Sequence, residues 1–141
     1  MSAPVNPAAS ALGLLTHYYD AFQAGDSPRM LSLLTDDVVH DTNQGGRETG
    51  REAFCAFLER MNRCYAEQLR DMVLWVDETG TRAAAEFTVL GTYQSTDEGL
   101  PPATGQSYRL PAGAFFTLRE GRIARVSMYY NLTDWLRQIG A

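Results

Sequence analysis

The sequence predicts an α+β domain, with helices packed on one face of an antiparallel sheet. Three observations lead there. The first half of the chain holds three segments whose apolar residues recur at helical spacing. The second half holds segments that alternate with period two, as half-buried strands do. Short turns, Glu78-Thr79-Gly80 and Glu120-Gly121, join those segments as hairpins.

Each element has its own signal. Asn6-Pro7 gives a cap and a proline-compatible first turn, and the helix that follows runs to about Ala24, before Gly25. Leu12, Leu15, Tyr19 and Phe22 form its expected core face, with Tyr18 on the flank. Ser27-Pro28 opens a shorter helix carrying Met30, Leu31 and Leu34. A strand is predicted at about Val38 to Asn43. Thr49 and Glu52 form a capping box for a helix through about Ala66, with Phe54, Phe57, Leu58, Met61 and Tyr65 on one side. Strands then follow at Met72 to Val76, Arg82 to Tyr93, Tyr108 to Arg119 and Arg122 to Asn131. Gln94 to Ser107 is a loop rich in glycine and proline, and Thr133 is the expected cap of a closing helix through Ile139.

The 141 residues suit one domain, residues 1–141, and 45% hydrophobic with 21% charged residues is a globular rather than a disordered balance. A net charge of −5 without a basic cluster argues against nucleic acid and anionic membranes as partners. All 12 cations are arginine, which excludes Schiff-base chemistry on lysine. Cys55 and Cys64 share one predicted helix and sit too far apart along it for a disulfide, so a reduced, cytoplasmic protein is expected. No apolar run is long enough for a membrane span, and Met1 to Pro7 lacks the features of a secretory leader. Two histidines without ligand spacing give no metal site, and neither a nucleophile elbow nor a phosphate-binding glycine loop is present. No cofactor is expected.

The densest chemistry lies between Asp36 and Gly46, where His40, Asp41, Thr42, Asn43 and Gln44 follow two β-branched valines. A strand sends alternate side chains to opposite faces, so only part of this set can enter a core. His40 is a candidate general acid or base, because an imidazole titrates close to neutral pH. Asp41 is a candidate base or the group that fixes the His40 tautomer. Asn43 can orient a substrate oxygen or shape the turn before Gly45-Gly46. Trp75, Tyr93, Tyr108 and Tyr130 are expected in the core or along a pocket. Glu86 alternates against Phe87 and is expected on the opposite, outer face.

Four stretches are similar to the nuclear transport factor 2-like superfamily, which includes ketosteroid isomerase, limonene epoxide hydrolase and the SnoaL-type polyketide cyclases. They are Tyr18 to Asp26, Leu34 to Thr42, Glu86 to Tyr93 and Tyr129 to Gly140. The resemblance implies a cone-shaped fold, in which three N-terminal helices pack on a curved, mostly antiparallel sheet that encloses an apolar pocket. It also implies dimerisation through the outer sheet face, where Thr88, Leu90 and Thr92 would lie. Tyr18 matches the oxyanion-donating tyrosine of ketosteroid isomerase. The place of its aspartate base falls at Thr42, one residue past Asp41, and the place of its second aspartate falls at about Ala114. The cyclase aspartate of the last strand falls at Asn131, a neutral side chain that can orient a carbonyl or a water. Residues Tyr108 to Asn131 do not supply the two aspartates of the epoxide hydrolase set.

Together these readings imply a cofactor-independent isomerase, cyclase or dehydratase acting on a small hydrophobic carbonyl compound. His40 and Asp41 would be its acid/base pair, and Tyr18, Asn43, Tyr93, Tyr130 and Asn131 would bind substrate. The alternative is a non-catalytic domain that binds a small molecule or a second copy of itself.

Overall fold

A computed structural model describes residues 6–141. Most of the leader reading at Met1 to Pro7 falls outside that range. The order is α1 (Pro7–Gln23), α2 (Ser27–Ser32), β1 (Leu34–Asp41), β2 (Arg47–Thr49), α3 (Arg51–Cys64), β3 (Tyr65–Val76), β4 (Arg82–Tyr93), β5 (Gln106–Arg119), β6 (Arg122–Tyr130) and α4 (Leu132–Ile139). The strands form one sheet in the order β2-β1-β6-β5-β4-β3. All pairings are antiparallel except β1 with β6. This is the α+β arrangement the sequence predicts.

Local chemistry sets the ends of most elements. Asn6 accepts from the Ala9 amide and caps α1, which stops before Gly25 at φ 69°. Glu120 and Gly121 both adopt positive φ, the conformation of a tight hairpin turn whose twist matches its strands. The buried stripe of α1 is Ala11, Leu15, Tyr18, Tyr19 and Ala21, whereas Leu12 is 43% exposed. The helix is therefore rotated from the expected face, bringing the small Ala11 and Ala21 into the interior. Tyr18 moves from the flank into the interior.

Several boundaries differ from the sequence reading. Leu34 is the fully buried first residue of β1 rather than the last apolar position of α2. Thr49 pairs with Val39 in the short strand β2, so α3 starts at Arg51 behind Gly50 and has no side-chain cap. The last helix is capped by Asn131, which accepts from the Asp134 amide, rather than by Thr133. The helix expected through Ala66 ends at Cys64, because Tyr65 is extended and pairs with Tyr93. Strand β3 is thus much longer than predicted. Its backbone at Leu69 is held on the free edge by Gln23 of α1, whose side chain accepts from the Leu69 amide and donates to its carbonyl.

A bulge in β3 decides which residues line the interior. Arg70 pairs with Thr88, but Val73 pairs with Glu86, and Asp71 between them has φ 55°. One extra residue inverts the alternation. Before the bulge Tyr65, Glu67 and Leu69 point inward; after it, Val73 and Trp75 point outward, at 44% and 52% exposure. The expectation of Trp75 as a core or pocket residue is corrected by this shift.

Candidate functional site

Strand β1 alternates as its period demands. Val38 and His40 are buried toward the helices, while Asp41 lies on the other side. The His40 ring is 4% exposed and wedged between Phe54 and Phe57 of α3, at centroid distances of 4.7 and 4.4 Å. Its Nδ1 is enclosed and has no hydrogen-bond partner among the described residues. Burial holds the ring below its ordinary pKa, against the upward pull first of Glu48 and then of Asp41. Glu48 is its cross-strand partner.

His40 faces two adjoining chambers. The inner one has a volume of about 320 Å³ and is lined mainly by apolar groups, including Tyr19, Phe22, Met30, Phe54, Leu69 and Phe87, together with Tyr18. The outer one, about 430 Å³, is more polar, with Thr42, Asn43, Glu48, Arg60, Asp97 and Tyr130 around it. His40, Phe57, Met61, Tyr65, Glu67, Val89 and Met128 line both. The chambers therefore meet at a waist that carries one imidazole and one carboxyl group.

That carboxyl group, Glu67, is the functional candidate that sequence reasoning missed. Glu67, Gly91 and Tyr108 are lateral neighbours on β3, β4 and β5. Gly91 has no side chain, and a Cβ placed there would overlap the Tyr108 ring. The ring lies across this gap, and its hydroxyl donates to Glu67 Oε2 at 2.5 Å. Burial raises the Glu67 pKa, while the Tyr108 bond opposes the rise. Tyr108 is pushed up as well, first by burial and then by the neighbouring carboxylate. The sequence signal was the inward series Tyr65, Glu67, Leu69, but a helix drawn through Ala66 concealed it.

Other polar groups complete the walls. Tyr18 is buried beside the inner chamber, edge-on to Tyr19 and Phe116, and burial raises its pKa. Asn43 Oδ1 accepts from the Tyr130 amide, whereas its buried Nδ2 has no partner among the described residues. Tyr130 lines the outer chamber edge-on to Trp135, and burial raises its phenol too. Tyr65 donates to the buried Asp97, which Arg60 approaches at 3.5 Å.

The structure brings His40, Tyr18, Asn43 and Tyr130 to the chambers, with Thr42 at the outer one, but separates three other predicted residues from them. Asp41 faces the outer side of the sheet, where Arg47 grips it with bonds of 2.7 and 3.1 Å and the Ser127 hydroxyl donates to it at 2.6 Å. Arg47 and then Ser127 hold the carboxylate down to about 2. A strand cannot send adjacent side chains to one face, so Asp41 does not form a cavity pair with His40. Tyr93 is fully buried, but its hydroxyl donates to the Pro101 carbonyl and accepts from the Asp97 amide, fastening the 94–105 loop. Asn131 is spent as the α4 cap. Ala114 does line the inner chamber, where it offers no polar side-chain atom.

Comparisons with known proteins bear on the family and the fold. Residues 15–126 match the family model of the SnoaL-like domain. A crystal structure of a candidate polyketide cyclase from Xanthomonas campestris pv. campestris shares 54% identity, with a TM-score of 0.92 over 95% of this chain and 99% of that one. A second candidate polyketide cyclase, from Pseudomonas putida KT2440, shares 57% identity at a TM-score of 0.91, covering 92% and 98% of the two chains. An LEH-like epoxide hydrolase of M. tuberculosis shares 17% identity at a TM-score of 0.77 over 96% of this chain and 89% of that one, a likeness of fold alone. No curated protein matches by sequence. Among the described residues, no helix is long and apolar enough to cross a membrane.

Proposed function

Because the chain belongs to the SnoaL-like domain family, we propose that it is a cofactor-independent acid/base enzyme of the isomerase or cyclase type, acting on a small hydrophobic carbonyl compound. One observation carries this reading: a buried imidazole whose ring lines both chambers at the waist of an apolar cavity. Burial keeps His40 neutral at pH 7, the form that accepts a proton. A neutral base beside a carbon next to a carbonyl can remove its proton, and a positioned base contributes roughly 10²–10⁴-fold. Tyr18 in the inner chamber, and Asn43 and Tyr130 in the outer one, are the hydrogen-bonding groups that would hold substrate oxygens. The outer chamber carries Glu48, Asp97 and Glu98 against Arg60, so an uncharged oxygenated end suits it better than a carboxylate. The similarity to two candidate polyketide cyclases supports the same reaction class.

The test is loss of deuterium from the carbon between the ring and the carbonyl of 2-tetralone, an apolar ketone, followed by NMR. Wild-type protein is expected to accelerate the loss, and His40→Gln to remove most of the acceleration. Equal rates for the two proteins, or no acceleration by the wild type, would reject the reading. Retention of an apolar ligand by native mass spectrometry without proton exchange would instead favour the non-catalytic binding alternative.

The same proposal includes a homodimer formed through the outer sheet face. Trp75, Phe115 and Tyr129 stand on that face at 52%, 51% and 57% exposure, and Phe115 meets Tyr129 edge-on at 5.6 Å. They border a shallow groove that also holds Glu86 and Thr88. Exposed aromatic groups in one patch are the usual anchors of a protein interface.

A further inference from the structure

When His40 takes a proton from carbon, negative charge develops on the substrate's carbonyl oxygen. In an apolar chamber that charge is costly unless a donor meets it. We propose that Glu67 is this donor: a second proton-transfer group that passes a proton from its free carboxyl oxygen to the substrate oxygen as His40 takes one from the neighbouring carbon. The inference rests on the His40 reading and adds its partner.

Four observations support it. Glu67 and His40 are the two titratable groups, besides Tyr65, that line both chambers. Tyr108 donates to Oε2, and Oε1 has no hydrogen-bond partner among the described residues, so a proton on this carboxyl group would sit on Oε1. The bond exists because Gly91 leaves the lateral position between the two side chains empty. Burial moves both groups toward their neutral forms, an imidazole that accepts and a carboxylic acid that donates. The Asp97 carboxylate of the outer chamber does not compete for this role, since Tyr65, Arg60 and the Glu98 amide occupy it.

The step balances without another reactant. The C–H electron pair becomes the carbon–carbon double bond of an enol. The carbonyl π pair takes the Glu67 proton. His40 is left as imidazolium and Glu67 as carboxylate, the latter accepting from Tyr108. Return of the proton from His40 to the same carbon, or to one conjugated with it, and of the oxygen-bound proton to Glu67 restores both groups. The substrate class follows: an elongated, uncharged ketone with an acidic adjacent C–H, its apolar body in the inner chamber and its carbonyl at the waist. Tyr108 and Gly91 are positioning residues, acting through Glu67.

The experiment uses the same deuterium loss from 2-tetralone across a pH series. Glu67→Gln keeps an acceptor for Tyr108 but cannot donate an acidic proton, and a fall in rate of roughly 10²-fold or more is expected. Tyr108→Phe removes the bond that lowers the Glu67 pKa, so the limb of the pH–rate profile that disappears in Glu67→Gln moves to higher pH. Gly91→Ala is expected to move that limb in the same direction by displacing the Tyr108 ring. A purely structural pair would change melting temperature and leave the limb in place. If Glu67→Gln fails to fold, the alkaline limb of the wild-type profile decides: its move to higher pH in Tyr108→Phe supports the inference, and an unmoved limb overturns it. Wild-type rates in Glu67→Gln with slow His40→Gln would overturn this inference and keep the His40 reading. Wild-type rates in both variants, or no acceleration by the wild type, would overturn both.

Discussion

Replacing His40 by leucine is expected to stabilise the protein while abolishing its proton chemistry. The ring is 4% exposed, and its enclosed Nδ1 has no partner. Leaving a buried polar atom unsatisfied costs about 1–3 kcal/mol. Against this, the contacts with Phe54 and Phe57 contribute about 0.5–1.5 kcal/mol that leucine only partly replaces. The first effect is larger, so His40→Leu should gain about 1 kcal/mol at a pH above 7, or roughly 3 °C in Tm for a domain of this size. Its pH dependence carries a sign. The folded ring has a lowered pKa, so the unfolded chain binds the proton first as pH falls. The stability His40 leaves intact is therefore fully present above about pH 6.5 and declines as pH drops toward the folded value, by at most about 1.4 kcal/mol per pH unit. His40→Leu abolishes this decline. Urea denaturation of both proteins at about pH 8 and about pH 5.5 measures the gain and the slope. A variant less stable than wild type at the higher pH, with an unchanged slope, would show that His40 is an ordinary packed residue and refute the argument for a poised base.

Asp41→Asn should lower stability at neutral pH by about 0.5–1 kcal/mol, a value kept small because Arg47 is largely exposed. The Asp41 pKa is depressed to about 2, so its contribution is present above about pH 4 and lost as pH falls toward 2. Proton exchange by this variant should stay at the wild-type level, and its collapse in a folded protein would contradict the outward placement of Asp41. Tyr93→Phe should cost about 2 kcal/mol by orphaning the Pro101 carbonyl and the Asp97 amide, and should speed proteolysis within the 94–105 loop. Unchanged stability would count against its role as the loop's anchor. Trp75→Arg should convert a dimer to monomer by light scattering at micromolar concentration, and a monomeric wild type would remove the dimer proposal.

What the sequence determined by itself was local. Asn6, Gly25 and the Glu120-Gly121 turn set element ends through interactions within a few residues. The alternation of β4 put Phe87 and Glu86 on opposite faces, as observed. The period of β1 let only alternate residues face inward, which left open whether Asp41 or Thr42 would enter the pocket and set a limit that the pairing of His40 with Asp41 did not respect. Tertiary structure decided that choice, because only Phe54 and Phe57 of α3 make a slot for the imidazole, while Arg47 and Ser127 offer the carboxylate a polar site outside. It also decided the facing of β3, where an extra residue at Asp71 inverts the strand between Glu67 and Trp75. Such a bulge has a weak local signature, since its cause is the pairing with β4. The Glu67, Gly91 and Tyr108 row was likewise invisible in the chain, because 24 and 17 residues separate its members and only strand register brings them side by side. Composition and periodicity specify elements through short-range energetics; the waist of the cavity exists only after distant strands have fixed their register.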